Sequence, residues 1–227
     1  VRRVVIPELL DRDAGSPEEI AASLRDLRWI NRWFGGVRTL RLLLRDAMRA
    51  AGLTRATLLS VAAGDAFAPA RASAALARTG LDLGITVLDR SSRHLRAAPQ
   101  ASRVAADALA LPFAAASFDF VECSLFAHHL EPEEVAAFAR EALRVARHAL
   151  LVNDLRRSRG HLLFATLGCM LYSSRLTRHD ARASVRRAYT PRELRALLAD
   201  GDALQVTVTP RWFFRSAATV RRQQRTA

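Results

Sequence analysis

Two adjacent histidines, His128 and His129, close the segment Ser124-Leu125-Phe126-Ala127-His128-His129-Leu130. Imidazole exchanges protons near neutral pH, so a histidine at the rim of a crevice can take the proton that a bound hydroxyl must lose before its oxygen attacks. Packing, or capping of the next helix, is the structural alternative for either ring. His179 lies between Arg178 and Asp180 and has the same capacity if its segment covers a crevice; otherwise it belongs to an exposed charged loop. Asp89 and Asp107 follow short apolar runs, where a carboxylate can grip sugar hydroxyls or cap the helix that follows. Ahead of them, Val61-Ala62-Ala63-Gly64-Asp65-Ala66 leads an apolar run into small residues. Such residues let the backbone approach a ligand, and a helix N-terminus offers unpaired N–H groups to an anion. Asn153-Asp154 could orient a hydroxyl, although an Asx-type turn explains the pair more simply.

These residues do chemistry together only if the chain brings them to one edge, and its periodicity supplies the elements for that. Ser16-Pro17-Glu18-Glu19 is a capping box that opens a helix with Ile20, Leu24, Leu27 and Ile30 on one stripe. Gly35-Gly36 separates it from a second helix carrying Leu40, Leu43, Leu44 and Met48, which Gly52 ends. Trp29, Arg32, Trp33 and Phe34 precede that break; most of the aromatics are expected in the core, with Trp33 or Phe34 free to close over a ligand. Strands then alternate with helices: Leu58 to Val61, helix Phe67 to Arg78, Ile85 to Leu88, short helix Ser92 to Ala97, a strand at Val104, Phe118 to Cys123, helix Pro132 to Val145, and Ala149 to Val152. Asp119 reads as part of the strand that starts at Phe118. Ser158 to Tyr172 is predicted as a helix with an apolar face, and Ser173 to Ala188 as an arginine-rich loop. Thr190-Pro191-Arg192-Glu193 opens another capped helix to about Ala199, before strands Gln205 to Thr209 and Phe213 to Val220. This alternation predicts an α/β chain with a Rossmann-like, doubly wound, mostly parallel seven-stranded sheet. An N-terminal helical lid and a helical insertion after the fifth strand complete it. One domain covers 1-227, comprising the lid 1-52, a core 53-157, a substrate-side insertion 158-190 and a C-terminal helix with strands 191-227.

Composition narrows the partners. All 35 basic residues are arginine, against 22 acids, for a formal charge of +13. The arginines fall in scattered pairs rather than in a dense or aromatic-interleaved patch, so nucleic acid is disfavoured. No apolar run reaches the roughly 20 residues that span a bilayer. The first residues reach Glu8 and Asp11 too soon for a signal-peptide core, which makes the cytoplasm the expected location. Cys123 and Cys169 lack metal-ligand spacing; buried free thiols and no metal site are expected.

Four segments resemble the class I S-adenosylmethionine (SAM) methyltransferases of the ubiquinone- and menaquinone-biosynthesis type, which act on small molecules. They are Val61-Ala62-Ala63-Gly64-Asp65, Val87-Leu88-Asp89-Arg90-Ser91, Ala106-Asp107-Ala108-Leu109-Ala110-Leu111-Pro112-Phe113 with Ser117-Phe118-Asp119, and Ser124 to Leu130. The third is the most specific. The resemblance implies that Ala62, Gly64 and Asp65 line the cofactor, that Asp89 holds the ribose hydroxyls beside Arg90, that Asp107 and Ala108 read the adenine edge under Leu109, and that Ser124 borders the methionine. One departure is plain: where the family writes an acidic residue and three glycines, this chain has Ser60, Ala62, Gly64 and Ala66, and the extra methyl groups narrow the pocket.

The activity so implied is methyl transfer from SAM, with S-adenosylhomocysteine (SAH) as product. The acceptor is a small, largely apolar molecule such as a phenol, quinol or polyketide-derived aromatic, with His128, His129 or His179 as base and the 162–172 helix as acceptor wall. Carbon methylation of an activated ring fits the same frame. Two other readings share it: an RNA methyltransferase, motivated by charge, and a non-catalytic methyltransferase-fold partner protein, motivated by the alanine-substituted loop. A monomer or homodimer is expected.

Overall fold

A computed structural model describes residues 1–12, 14–95, 102–199 and 204–223. Its seven strands are β1 (Arg55–Val61), β2 (Asp82–Asp89), β3 (Ser102–Ala105), β4 (Phe118–Ser124), β5 (Ala146–Leu155), β6 (Leu204–Arg211) and β7 (Arg215–Arg222). They form one sheet in the order β3-β2-β1-β4-β5-β7-β6. β1 to β5 pair in parallel, whereas β7 is antiparallel to both β5 and β6. The strand order reverses between β1 and β4, and ligands of open α/β sheets bind in the crevice that such a reversal leaves beyond the strands' carboxyl ends.

Side chains alternate across the sheet with the period of two that extended chain imposes. Leu58, Phe120 and Leu151 face α2 (Gly36–Ala50) and α3 (Phe67–Ala77), packing on Leu40, Leu44 and Met48. Leu59, Val121, Leu150 and Val152 face the other way, onto Phe138 of α5 (Pro132–Val145) and Leu194 of the C-terminal helix Pro191–Leu198. A short helix, α4 (Ser92–Leu95), follows β2; the Arg96 and Ala97 end of that predicted helix lies outside the described residues.

The rest of the chain gathers over the carboxyl edge. α1 (Pro17–Trp33) starts at Ser16, which caps Glu19 N–H while the Glu19 carboxylate accepts from Ser16 N–H, as the capping box predicts. α6 (Arg159–Leu167) runs into a 3-10 turn, Gly168–Leu171. The segment predicted as a polar loop is instead a helix, α7 (Arg175–Arg187). It was concealed because its buried face, Leu176, Thr177, Asp180, Ala183, Ser184 and Val185, has helical spacing but is half polar. Each polar member has a partner: Thr177 Oγ1 meets Ser23 Oγ at 3.0 Å, Asp180 accepts from Leu9 and Leu10 N–H at 2.8 and 3.0 Å, and Ser184 Oγ donates to Glu8 at 2.8 Å. Hence α7 fastens α1 and the N-terminal strap. The C-terminal helix Pro191–Leu198, hereafter α8, follows its Thr190 capping box.

Candidate active site

The loop after β1 retains the backbone that three glycines would give. Ala62, Gly64 and Ala66 have φ of 53°, 54° and 58°, all left-handed, so two alanines occupy a conformation that glycine adopts without strain. Their methyl groups leave the crevice open. Ala62, Ala63 and Gly64 line a cavity of about 600 Å³ that also meets Asp89, Arg90, Asp107, Ala108, Leu109 and Ser124. Asp89 joins the loop to β2, its two oxygens accepting from Gly64 N–H at 2.8 Å and Ser91 N–H at 2.9 Å. Each carboxylate oxygen keeps a further lone pair for a ligand hydroxyl. Asp107 closes an Asx turn onto Leu109 N–H at 2.9 Å. Asp65, although on the wall, is occupied: it caps Phe67 N–H at 3.0 Å and pairs with Arg28, tying α1 to the loop.

A carboxylate that sequence reasoning missed lies beneath. Glu122 of β4 sits opposite Ser60 of β1 in the sheet register, is 1% exposed, and accepts from Ser60 Oγ and, at 3.0 Å, Ser124 Oγ. Burial pushes its pKa up to about 7, the two serine hydrogen bonds opposing the rise. A buried carboxylate thus lies one strand over from Ser60, where the family writes an acid, a proximity that only the β1–β4 register reveals.

The histidines sit at the other end of the cavity, on a 3-10 turn (Ala127–His129) after β4. His128 is 2% exposed and clamped between carboxylates, with Nδ1 2.6 Å from Asp154 and Nε2 3.4 Å from Glu8. Burial alone would lower its pKa, but the charges and hydrogen bonds of Asp154 and Glu8 prevail and raise it to about 10. His128 is thus an imidazolium at neutral pH and cannot serve as the base. Burial would raise the pKa of Asp154 and Glu8, yet the imidazolium keeps both below their ordinary values. His129 has a different partner, Asp11, 2.7 Å from Nδ1. An ionised carboxylate only accepts, so Nδ1 carries a hydrogen and Nε2, 3.9 Å from Glu8, is the nitrogen left for a proton. His179 does not line the cavity; it pairs with Asp180 at 2.8 Å on α7, its side chain 40% exposed. Glu8, His128 and His129 bring one ligand atom each within 4.8 Å of one another.

Glu8 and Asp11 come from the N-terminal strap, which no motif marked. Rings form the facing wall: Phe34 lies 5.2 Å from Phe164 and 5.3 Å from Phe213, centroid to centroid, with Tyr172 beyond. His161 of α6 also faces in, donating Nδ1–H to Arg156 C=O at 3.0 Å; burial lowers its pKa to about 4, so it is neutral. Arg215, 1% exposed, is the buried cation of this wall, pushed down to about 10 by burial while Asp154 opposes the shift. Asn153 closes no Asx turn, its Oδ1 accepting no hydrogen bond among the described residues; its amide instead donates to Gly36 C=O at 3.1 Å and Ser124 Oγ at 3.2 Å.

Residues 59–149 match the protein family described as "Methyltransferase domain". That segment is a methyltransferase domain. Solved methyltransferases share the chain's fold beyond that segment. The plantazolicin methyltransferase BpumL, solved with a monoazolic desmethylPZN analogue and SAH, aligns over 96% of this chain and 95% of its own at 12% identity and a TM-score of 0.69. The related BamL, solved with a triazolic analogue and SAH, aligns over 92% of each chain at 13% identity and 0.68. A SAM-dependent methyltransferase from Aquifex aeolicus covers 80% of this chain and 90% of its own at 16% identity and 0.53. No curated protein matches the chain by sequence.

The methyltransferase domain uses SAM as cofactor, and the crevice has room for that molecule. A side chain added at Gly64 would meet nothing within 4 Å, leaving space directly over the loop whose N–H groups and helix follow. No described helix is long and apolar enough to cross a membrane. Cys123 is buried, whereas Cys169 is only half-buried; both are free thiols.

Proposed function

We propose that this methyltransferase acts on a small, flat, largely apolar acceptor, at the oxygen of a phenol, quinol or polyketide-derived aromatic. The observation that carries this reading is one cavity with two unlike walls, rings from Phe34, Phe164 and Phe213 facing the Glu8–His128–His129–Asp11 group. SAM supplies an electrophilic methyl group on a sulfonium. Asp89 and Asp107 would hold its ribose and adenine, and Ser124, backed by Glu122, would border the methionine end. The rings hold a flat acceptor at near-attack distance and exclude water. His129 Nε2 takes the phenolic proton, Asp11 fixing the tautomer and bearing part of the resulting charge. The His128 imidazolium, locked by Asp154 and Glu8, steadies the phenolate as it forms.

A nitrogen acceptor is the second reading. Glu8 and Asp11 both face His129 at one end of the cavity, a setting suited to holding an amine there, and the plantazolicin methyltransferases are solved with azolic ligands. Mass-spectrometric assay of a panel of alkylated phenols, quinols and azole-bearing amines separates the two. The first reading predicts O-methylated products, and a His129→Gln enzyme with kcat down at least about 100-fold and KM little changed. Products confined to amines would replace it with the second.

A further inference from the structure

α6 is built inside out. Its buried residues are His161 and Ala165, continued by Gly168 in the following turn, whereas Leu163 and Leu167 point to solvent at 60% and 70% exposure. Met170 and Leu171 extend that outward stripe at 79% and 69%. A helix in water normally turns its leucines inward, and neither the fold nor the acceptor wall accounts for these.

The exposed residues continue the ring wall outward. Phe164, between Leu163 and Ala165, meets Phe213 edge-on with centroids 4.5 Å apart, and Phe213 meets Trp212 edge-on at 5.1 Å. Trp212 is 69% exposed, and Trp33, next to Phe34, 61%. Trp29, edge-on to Phe34 at 5.0 Å and to Tyr172 at 6.4 Å, completes the rim, so all three tryptophans of the chain stand round this mouth. Contiguous apolar surface of this kind marks an interaction site.

Charge selects the partner. Arg32, Arg159, Arg178 and Arg211 are exposed along the same rim, and none makes an ion pair among the described residues: Arg32 lies over Trp33 at 5.3 Å, and Arg178 donates to Tyr172 C=O at 2.9 Å. The carboxylates of Asp26 and Asp180 nearby are buried and engaged with backbone N–H groups. A second copy of this +13 chain would bring guanidinium against guanidinium. An anionic phospholipid surface instead offers hydrocarbon to the leucines, a polar interface to the tryptophans and phosphate to the arginines. We infer that this rim, Trp33, Leu163, Leu167, Met170, Leu171 and Trp212 within a collar of arginines, docks the protein on anionic membranes with the mouth of the acceptor cavity against the lipid. Acceptors with a lipid-soluble tail would then enter from the bilayer, a consequence that rests on the acceptor reading above; the docking itself does not.

Co-sedimentation with vesicles, with no acceptor present, tests the docking. The full chain should pellet with vesicles of equal phosphatidylglycerol and phosphatidylcholine at about 50 mM salt, lose most binding by about 500 mM, and bind pure phosphatidylcholine at least tenfold more weakly. Tryptophan emission should shift to the blue on binding. Leu163→Ser with Leu167→Ser removes only exposed side chains, so SAH affinity and thermal midpoint should hold while vesicle affinity falls at least tenfold; Arg159→Gln with Arg211→Gln should abolish the preference for anionic lipid. Absence of pelleting at low salt, unchanged binding by the leucine variant, or a concentration-dependent dimer lost in that variant would each overturn the inference.

Discussion

Ala66 shows how a residue can conflict with its family's pattern and leave the site intact. Its left-handed φ of 58° is the conformation a glycine would adopt there, at a cost of roughly 1–2 kcal/mol to a residue with a Cβ. Ala66→Gly relieves that strain and loses some unfolded-chain restriction, so it should stabilise the fold by up to about 1 kcal/mol, read as a higher urea midpoint. Glu122 predicts a pH effect. Its folded pKa of about 7 lies above the ordinary 4.5, so the folded state binds the proton more tightly; stability is lost as pH rises from 4.5 to 7 and the deficit persists above. Glu122→Gln, an isostere of the protonated form, should raise the thermal midpoint at about pH 8 and leave it little changed at about pH 4.5. An equal shift at both values would mean that the carboxyl does not titrate in this range. Asp89 and Asp107 were legible as site candidates because their carboxylates follow strands at recognisable spacing. Glu122, Glu8 and Asp11 were not, since strand register and a strap crossing α7 bring them in.

At the scale of elements, the lid depends on Gly35. The glycine joins α1 to α2 at φ 76°, and a Cβ there would meet the Trp212 carbonyl oxygen at 2.1 Å. Gly35→Ala should therefore cost about 2 kcal/mol or more and loosen the β6–β7 turn from α1, measurable as a lower denaturation midpoint and faster hydrogen exchange at residues 28–36. The capped helices α1 and α8 and the apolar strands could be read in advance because local signals and tertiary packing agree there. α7 could not, since partners on the strap and α1 satisfy its buried polar residues. The aromatics before Gly35 diverge for a related reason: Phe34 turns to the cavity, while Trp29 and Trp33 remain at the rim, where residue type alone suggested core.

For the whole molecule, the buried acid–imidazole group sets a stability window. His128 has a folded pKa of about 10 against 6.5 unfolded, so its contribution is complete below pH 6.5 and disappears as pH rises through 10. Asp154 and Glu8 are lowered, so theirs is present above 3.8 and 4.5 and lost as pH falls through the folded values. With Glu122 added, the thermal midpoint should peak between about pH 5 and 6.5 and decline steadily to about pH 10; a flat profile over that upper range would show that His128 is not held as an imidazolium. The sheet, its switch point and the family were evident from the chain because strand–helix alternation and the four motif segments lie between residues 58 and 154. How the two ends of the chain fold over that edge was not, being decided by contacts between residues more than a hundred positions apart, such as Glu8 with His128 and Asp26 with Ser174.

On this account the crevice beyond the carboxyl ends of β1, β2 and β4 binds the cofactor through Asp89 despite the alanines in its loop. Calorimetric titration with SAH of the wild type and Asp89→Ala tests it most directly. One saturable site is expected in the wild type and at least about a tenfold weaker one in the variant, the loss of about 1.4 kcal/mol that follows when charge-assisted hydrogen bonds to a ribose are removed. No heat of binding from a folded wild type, or equal affinity in both proteins, would contradict it.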